Sequence, residues 1–306
     1  MNRIEHKDLL DAQVHFGHLK RKWNPKMLPY IFGEKKGIHI IDLNRTSDKL
    51  EEAAQAAKAI ARSGRKIMFV ATKKQAKEVV RAAATRTGMP FVTERWLGGM
   101  LTNFTTIRKS IKKMQGIEKM LQDGTLESVT KKEKLVLTRE KEKMEKVLGG
   151  VANMGRVPAA LFLVDIMHEN IALKEATRLN INTFGIVDTN SDPNKVDYAI
   201  PGNDDAAKSI AILTNYIADA IAEGLAERSA SQEGMDGADS DEDSADNNRF
   251  DNEVEEEGGV KKDEKGRLPL KKRSNTGGGT GGNTRGGAGT GNRPRTGTGT
   301  GAPKKF

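Results

Sequence analysis

The sequence predicts an α/β fold with a doubly wound, mostly parallel sheet of the Rossmann or flavodoxin type. The first observation is that short apolar segments alternate with helical patterns, the order that places parallel strands between helices. The second is a long charged segment, residues 104–148, that interrupts this alternation. The third is an abrupt change of composition at Ser229. The last two features add a protruding antiparallel coiled-coil hairpin and a disordered C-terminal tail to the prediction.

The predicted strands and helices follow one another in a regular order. Apolar runs of strand length occupy residues 38–42, 66–72, 91–94, 160–165, 183–188 and 198–200. Helical patterns occupy residues 46–63, 74–87, 169–179 and 204–227, of which the first is rich in alanine and the second is closed by Gly88. Residues 1–37 are rich in Gly, Pro and Asn signals that are typical of loops, so no regular element is predicted there.

Residues 104–148 predict two antiparallel helices, 104–122 and 130–148, joined by a turn at 122–125. Each helix has one narrow apolar seam with a three- or four-residue spacing, interrupted by a glutamate. Thr130 and Glu133 have the spacing of a capping box at the start of the second helix. The segment contains 12 Lys and Arg against 7 Asp and Glu. These charges either contact a polyanion or only keep an exposed hairpin in solution.

The charge distribution divides the chain into two parts. Residues 1–228 hold 38 basic and 28 acidic residues, and we expect them to form one α/β domain that carries the hairpin as an insertion. A net charge of +10 indicates either a polyanionic partner, nucleic acid or an anionic membrane surface, or simply a basic protein. The tail 229–306 has an acidic block, 229–257, and a basic Gly-rich block, 258–306. Such a composition buries too little apolar area to offset the entropy of ordering, which predicts disorder.

Several classes of protein are excluded or disfavoured by what the sequence lacks. With no cysteine, disulfides and thiolate zinc sites are excluded. The N-terminal residues have no apolar signal core, and no run of 18 apolar residues occurs, so we expect a cytoplasmic protein. The sequence contains no GxxxxGK[ST] phosphate loop, no GxGxxG that opens a helix and no GxSxG elbow.

Three aspartates that end predicted strands, Asp42, Asp165 and Asp188, carry the main alternative hypothesis. Ligands of α/β sheets bind at the carboxyl ends of strands, so a Mg²⁺-dependent phosphate-processing enzyme is conceivable. An aspartate at such a junction also caps the following helix, and no nucleophile or general base accompanies these three. His15 and His18 could contribute to a metal site, but packing or RNA contact is the preferred interpretation. We therefore predict no catalytic residue, no cofactor and no metal ligand, and leave open whether an acidic cluster such as Asp188, Asp204 and Asp205 binds a metal.

The segment Arg95-Trp-Leu-Gly-Gly-Met-Leu-Thr-Asn-Phe104 predicts a loop that contacts RNA. Gly98 and Gly99 allow either a tight bend or the approach of a phosphate to backbone N–H groups. Arg95 can pair with a phosphate, Trp96 can stack on a base or anchor the loop, and the side chains of Thr102 and Asn103 can add hydrogen bonds. The other candidate RNA contacts lie in loops and along the hairpin: Arg21, Lys22, Trp23, Lys26, Lys73, Lys74, Arg108, Lys109, Lys112, Lys113, Lys131 and Lys132.

Over about residues 5–226 the chain resembles the S-two family of small-subunit ribosomal proteins, in its bacterial form. The resemblance rests on the stretches His15-Phe-Gly-His18, Trp23-Asn-Pro-Lys-Met27, Gly37-Ile-His-Ile-Ile-Asp-Leu43, Thr72-Lys-Lys-Gln-Ala76, the Arg95–Phe104 segment, Ile186-Val-Asp-Thr-Asn190, Asp192-Pro193 and Ile200-Pro-Gly-Asn-Asp-Asp205. Departures occur at Ala71, where the family usually has Gly, and at Thr93-Glu94, where it has Asn-Gln.

The resemblance implies a structural, non-enzymatic protein on the solvent side of the small ribosomal subunit, near the junction of head and body. It implies contacts with small-subunit ribosomal RNA, with the large flexible S-one protein and with other small-subunit proteins. It implies neither a membrane nor a small-molecule substrate as a partner.

Overall fold

The computed structural model describes residues 4–122 and 130–233 of the 306-residue chain. These residues form a small antiparallel sheet near the N-terminus and a larger parallel sheet surrounded by helices. None of the helices in this part of the chain combines the length and the apolar character that a membrane span requires.

Two of the three strands of the small sheet lie within residues 1–37, for which the sequence predicts no regular element. After helix α1 (His6–Asp11), strands β1 (Phe16–Leu19), β2 (Ile31–Lys35) and β3 (Ile38–Ile41) pair antiparallel in the order β1-β3-β2. Lys36 and Gly37 both have positive φ and form the two-residue turn between β2 and β3, as primed hairpin turns require. The prediction was wrong here because the strands are only four or five residues long and contain turn-forming glycines. The strand at 38–41 is confirmed, although it belongs to this sheet.

The larger sheet is parallel throughout and confirms the predicted α/β architecture. Its strands are β4 (Ile67–Val70), β5 (Phe91–Val92), β6 (Ala160–Val164), β7 (Asn182–Val187) and β8 (Tyr198–Pro201), and all are parallel to their neighbours. Their spatial order is β5-β4-β6-β7-β8. Counted within this sheet the order is second, first, third, fourth, fifth, which is the order of flavodoxin-like folds, with a switch point between the first and third strands.

Helices follow the strands and end where local chemistry dictates. They are α2 (Leu43–Arg62), α3 (Lys77–Thr87), α4 (Phe104–Gln122), α5 (Lys131–Leu148), α6 (Asn170–Arg178) and α7 (Ala207–Glu233). Asp42 caps α2 by accepting a hydrogen bond from the Asn44 amide at 2.9 Å, the structural role that the sequence allowed. Gly88 ends α3 in the left-handed region, with φ of 63°.

Side chains of the parallel strands alternate between two hydrophobic clusters. Phe69, Phe162 and Phe184 belong to a cluster with residues of α2, α3 and α7. Their neighbours Leu161 and Leu163 belong to a second cluster with residues of α4, α5 and α6. Because successive residues of a strand point to opposite faces, both faces of the sheet are covered by helices.

The pair of long helices α2 and α7 packs closely on the first face. A Cβ atom at Gly224 of α7 would lie 2.5 Å from the backbone carbonyl oxygen of Lys58 in α2, so only glycine permits this approach. The Nζ atom of Lys58 adds ion pairs to Glu223 and Glu227 of α7, at 3.2 and 2.6 Å. Exposed pairs of this kind contribute little, so apolar packing is the main stabilising interaction.

Helices α4 and α5 lie beside each other, and their predicted extents agree with the structure to within one residue. Ion pairs join Lys113 to Glu140 and Lys141 to Glu118 across the two helices. The Thr130 hydroxyl accepts a hydrogen bond from the Glu133 amide at 3.4 Å, which is one of the two hydrogen bonds of a capping box. The buried apolar side chains of α4 are Ile107, Ile111, Met114 and Ile117, whereas Leu148 is the one that α5 buries in its described part. The predicted turn at 122–125 lies largely outside the described residues.

Helix α7 extends to Glu233, five residues beyond the predicted domain boundary at residue 228. Residues 234–306, which include most of the predicted disordered tail, lie outside the described residues.

Removing residues 234–306 is expected to change the thermal unfolding midpoint by less than about 2 °C, because the tail has too few apolar residues to pack on the domain. A second truncation after Arg228 removes the final turn of α7 and serves as the comparison. Differential scanning calorimetry of both proteins provides the measurement. A decrease of more than about 5 °C in the first protein would contradict the disorder prediction.

Candidate functional site

The loop that precedes α4 is folded around the carboxylate of Glu175, a buried residue of α6 with 9% of its surface exposed. One carboxylate oxygen, Oε1, accepts hydrogen bonds from Trp96 Nε1 at 3.1 Å and from the Gly99 amide at 2.8 Å. The other, Oε2, accepts from the Leu101 amide at 3.0 Å and from the amide and hydroxyl of Thr102, each at 3.2 Å. The backbone N–H groups of Gly99, Leu101 and Thr102 therefore form an anion site that the protein fills with its own carboxylate.

The ionisation of Glu175 follows from these contacts. Burial acts to raise the pKa of the carboxyl group, but the hydrogen bonds from Gly99, Trp96, Leu101 and Thr102 outweigh it, and the pKa lies below its usual value. The group is therefore a carboxylate at neutral pH. Because each donor would be unsatisfied without it, this one anion determines the conformation of the loop.

This arrangement divides the RNA contacts predicted for the loop into inward and outward groups. Trp96 is 7% exposed, which leaves its ring unavailable for stacking on a base, so it anchors the loop. The backbone amides of Gly99 and Thr102 point to Glu175. Four residues of the loop are exposed: Arg95, Gly98, Thr102 and Asn103. Their contact with RNA stays a prediction.

The other basic candidates differ in how far their charges are already paired. Lys26 Nζ lies 2.7 Å from Asp192, and Lys113 is paired with Glu140. Trp23 is half-buried, with its ring centroid 5.3 Å from that of His39. The remaining candidates outside the acidic cluster described below are fully or partly exposed: Arg21, Lys22, Lys74, Arg108, Lys109, Lys112, Lys131 and Lys132.

A second polar site lies where the parallel strands end. Lys73, which follows β4, places its ammonium 2.7 Å from Asp165, 3.0 Å from Asp204 and 2.9 Å from Asp205. His18 of β1 donates a hydrogen bond through Nδ1 to the carboxylate of Asp188, which follows β7, at 2.7 Å. The strand-end aspartates predicted from sequence, apart from Asp42, are thus brought together with Lys73.

The acidic cluster, which consists of Asp165, Asp188, Asp204 and Asp205, raises the pKa values of the basic residues beside it. Burial acts to lower the pKa of Lys73, but hydrogen bonds and attraction from Asp165, Asp204 and Asp205 raise it above its usual value. The hydrogen bond to Asp188 raises the pKa of His18. Lys73 is therefore a counter-ion of the cluster, which weakens its assignment as an RNA contact.

Asp204 is the least satisfied member of the cluster. Its side chain is fully buried, and within the described residues neither carboxylate oxygen accepts a hydrogen bond, although the Lys73 ammonium lies nearby. Burial, together with repulsion from Asp188 and Asp165, raises the pKa of Asp204 to about 7, against a partial opposing effect of Lys73.

The cluster has a donor set that could hold a divalent cation. His18, Asp188 and Asp204 each offer one ligand atom, and these atoms all lie within 4.8 Å of one another. One imidazole and two carboxylates suit zinc or a similar ion. The sequence prediction of no metal ligand therefore stays untested, and the geometry allows the opposite.

The crevice at the switch point, between β4 and β6, is closed by the protein itself. Asp165 has a left-handed backbone with φ of 66°, and its Oδ1 atom accepts hydrogen bonds from the amides of Met167 and His168. The buried Glu169 carboxylate accepts from the Thr72 amide at 2.8 Å, where a bound phosphate would lie in an α/β enzyme. The phosphate-processing alternative thus loses its binding position.

Sequence reasoning did not identify Glu169 and Glu175, which organise two loops from one helix. The signal available was the position of Glu175 on the apolar face of α6, beside Ala172 and Ala176. A charged residue on a buried face indicates an internal partner. Glu94, a departure from the family pattern, is paired with Lys77 at 2.9 Å.

Comparison with known proteins gives a consistent result. The family model described as "Ribosomal protein S2" matches residues 9–224. A protein of Cytophaga hutchinsonii named "Small ribosomal subunit protein uS2" is 65% identical over 226 residues, which cover 74% of this chain and 89% of the relative. Proteins of the same name from Parabacteroides distasonis and Christiangramia forsetii are 58% and 59% identical, covering 75% and 74% of this chain and 83% and 76% of their own lengths.

The Asp204→Asn variant is expected to lose part of the pH dependence of stability. The folded protein keeps a proton on Asp204 up to about pH 7, whereas the unfolded chain loses it near 3.8, so the free energy of unfolding falls as pH rises between these values. His18, with a raised pKa, acts in the same direction, because its stabilisation is lost as pH rises through the folded-state value.

Thermal midpoints measured at pH 5 and pH 8, with a chelator present, test this expectation. The decrease for the unmodified protein should exceed that for Asp204→Asn by on the order of 5 °C. The matched control is Asp11→Asn, at an exposed position outside the acidic cluster, which should keep the pH dependence of the unmodified protein. Equal pH dependence in all three proteins would contradict the raised pKa.

Proposed function

The chain belongs to the ribosomal protein S2 family, and from this premise we propose that it binds small-subunit ribosomal RNA and helps to dock neighbouring proteins. Members of this family are structural proteins of the small subunit of the cytoplasmic ribosome, and the chain is not an enzyme. The single observation that carries the proposal is the family match over residues 9–224. The matched residues include the Arg95–Asn103 loop and the helices α4 and α5.

The proposed RNA surface consists of the outward face of the Arg95–Asn103 loop and the basic residues of α4 and α5. Arg95, Lys109, Lys131 and Lys132 are exposed, and such side chains bind phosphates with little sequence preference. The net charge of +10 over residues 1–228 supports a polyanionic partner. A surface that binds the phosphate backbone without reading the bases suits a structured RNA, because assembly of the subunit determines where the protein binds.

We propose that α4 and α5 form an antiparallel coiled coil that projects from the domain. The apolar side chains of α4 recur every three or four residues, and the cross-helix ion pairs support close packing. A narrow seam stabilises helices of this length only through their mutual packing. The helices would then hold each other near the sheet and present lysines along an extended surface.

The domain organisation and the protein partners form part of the same proposal. Residues 1–228, with the inserted helices, would act as one RNA-binding domain, and the tail 229–306 as a disordered arm of opposed charge blocks. The S-one protein and other small-subunit proteins are the proposed protein partners, as the family resemblance implies. No membrane and no small-molecule substrate enter the proposal.

Affinity for small-subunit ribosomal RNA is expected to fall steeply with salt, by up to about 0.9 logarithmic units per phosphate contact for each tenfold increase. Replacing Arg95, Lys131 and Lys132 together by Gln should flatten this slope, because up to three phosphate contacts are removed. Filter binding between about 50 and 200 mM salt gives the slope. Lys49→Gln, on α2, is a matched control that should change the slope little, and a salt-independent affinity of the unmodified protein would refute RNA binding.

Deleting residues 108–144 and bridging them with a short Gly-rich turn is expected to leave the α/β domain folded, because the parallel strands lie outside the deletion. Incorporation into small subunits that lack this protein should nevertheless decrease. Circular dichroism reports folding, and sedimentation of reconstituted subunits reports incorporation. Equal incorporation of the deleted and intact proteins would show that the helices are only a solvated projection.

A further inference from the structure

The Glu175 carboxylate is a buried charge whose position determines that of two proposed RNA-binding elements. The loop that it organises ends at Asn103, and α4 begins at the next residue, Phe104. Asn103 Oδ1 accepts a hydrogen bond from the Thr106 hydroxyl at 2.8 Å, and the Asn103 amide donates to the Gly99 carbonyl at 2.9 Å. The direction in which α4 leaves the domain therefore depends on the loop around Glu175.

We propose that Glu175 is a positioning residue for RNA binding, which holds the Arg95–Asn103 loop in the conformation that turns Arg95 and Asn103 outward and sets the start of α4. The proposal rests on the proposed function and deepens it, since Glu175 itself is buried and contacts no RNA. Its partners Trp96, Gly99, Leu101 and Thr102 all belong to the loop, so its hydrogen bonds link α6 to nothing else.

The loop requires a carboxylate rather than another polar group. Both oxygens face only donors, and a neutral Gln of the same shape would direct its own N–H₂ group at one set of them. Asp is shorter by one methylene and would withdraw the charge from the loop amides. Gly99 has φ of 89°, and a Cβ atom there would lie 3.2 Å from that of Asn103, so this conformation of the loop requires glycine at position 99.

The helix that carries Glu175 is itself firmly placed. Ala172, Leu173 and Ala176 are buried against the sheet, and Glu169, one residue before α6, is bonded to the Thr72 amide. Helix α6 is therefore a rigid support, whereas the loop that Glu175 holds is exposed. In such an arrangement one buried carboxylate can determine the conformation of the whole loop. Glu169 provides a matched comparison, because it is a buried carboxylate at the same helix that contacts a different loop.

The full-length variants Glu175→Gln and Glu169→Gln test the proposal through affinity for small-subunit ribosomal RNA and amide hydrogen exchange. Glu175→Gln should bind the RNA roughly 10-fold more weakly, because donors left without an acceptor release the loop. Its exchange should accelerate at Gly99, Leu101 and Thr102 while protection in β6 and β7 persists. Glu169→Gln should accelerate exchange at Thr72 and change the affinity less than about threefold.

A chemical rescue separates positioning from general stabilisation. Glu175→Ala leaves a space that acetate can enter, restoring a carboxylate to the same amides. Sodium acetate should therefore recover most of the RNA affinity of Glu175→Ala, relative to sodium chloride at equal ionic strength. The unmodified protein and Glu169→Ala should bind RNA equally in both salts.

The outcomes distinguish failure of the proposed RNA binding from failure of the positioning role of Glu175. An unmodified protein without salt-dependent RNA affinity would overturn the proposed function itself. If the unmodified protein binds and Glu175→Gln binds equally well, with or without faster exchange in the loop, the positioning role is wrong. Loss of exchange protection throughout the domain of Glu175→Gln would also overturn it, because Glu175 would then stabilise the core rather than the loop.

Discussion

The requirement that a parallel sheet be buried on both faces determines most of this structure. Helices α2, α3 and α7 cover one face, and α4, α5 and α6 cover the other. The strands can be apolar on both sides only because the helices exclude water from them. Polar and charged residues are consequently concentrated at the strand ends and on the outer helices. The candidate sites of the protein lie in those two places.

At the carboxyl ends of the strands, the protein satisfies its own charges. A half-buried lysine, Lys73, pairs with several aspartates, and Glu169 occupies the position near the switch point at which a related fold would bind phosphate. Buried carboxylates are costly unless they are paired, and Asp204 shows the cost in its raised pKa. The same donor set offers His18, Asp188 and Asp204 to a cation. The strand ends thus carry internal electrostatics in place of catalytic chemistry.

The outer surface uses charge differently. The Glu175 carboxylate accepts the inward-facing hydrogen bonds of the Arg95–Asn103 loop. The exposed cation of the loop, Arg95, is then available to an external anion. The adjacent helices α4 and α5 extend that basic surface, with ion pairs between them and exposed lysines beyond. Membership of the ribosomal protein S2 family agrees with such a surface, because assembly on RNA requires many modest electrostatic contacts in a fixed arrangement. The rigid attachment of the loop to α6 is therefore as relevant to the proposed RNA binding as the exposed positive charge of the loop.

The sequence by itself determined the parallel strands, the helices between them, the extents of α4 and α5, and the family, because these depend on local periodicity, capping and motif order. It did not predict the N-terminal sheet, whose short strands carry turn-like residues and become regular only by pairing with β3. Only the tertiary structure decided which basic residues are available to RNA. Lys73 and Arg95 are both cations in loops, yet one is enclosed by aspartates brought from distant strand ends and the other is exposed. Glu175 leaves one local signal, a charge on the apolar face of α6, but its partner Trp96 lies 79 residues away in sequence, and only folding brings the two together.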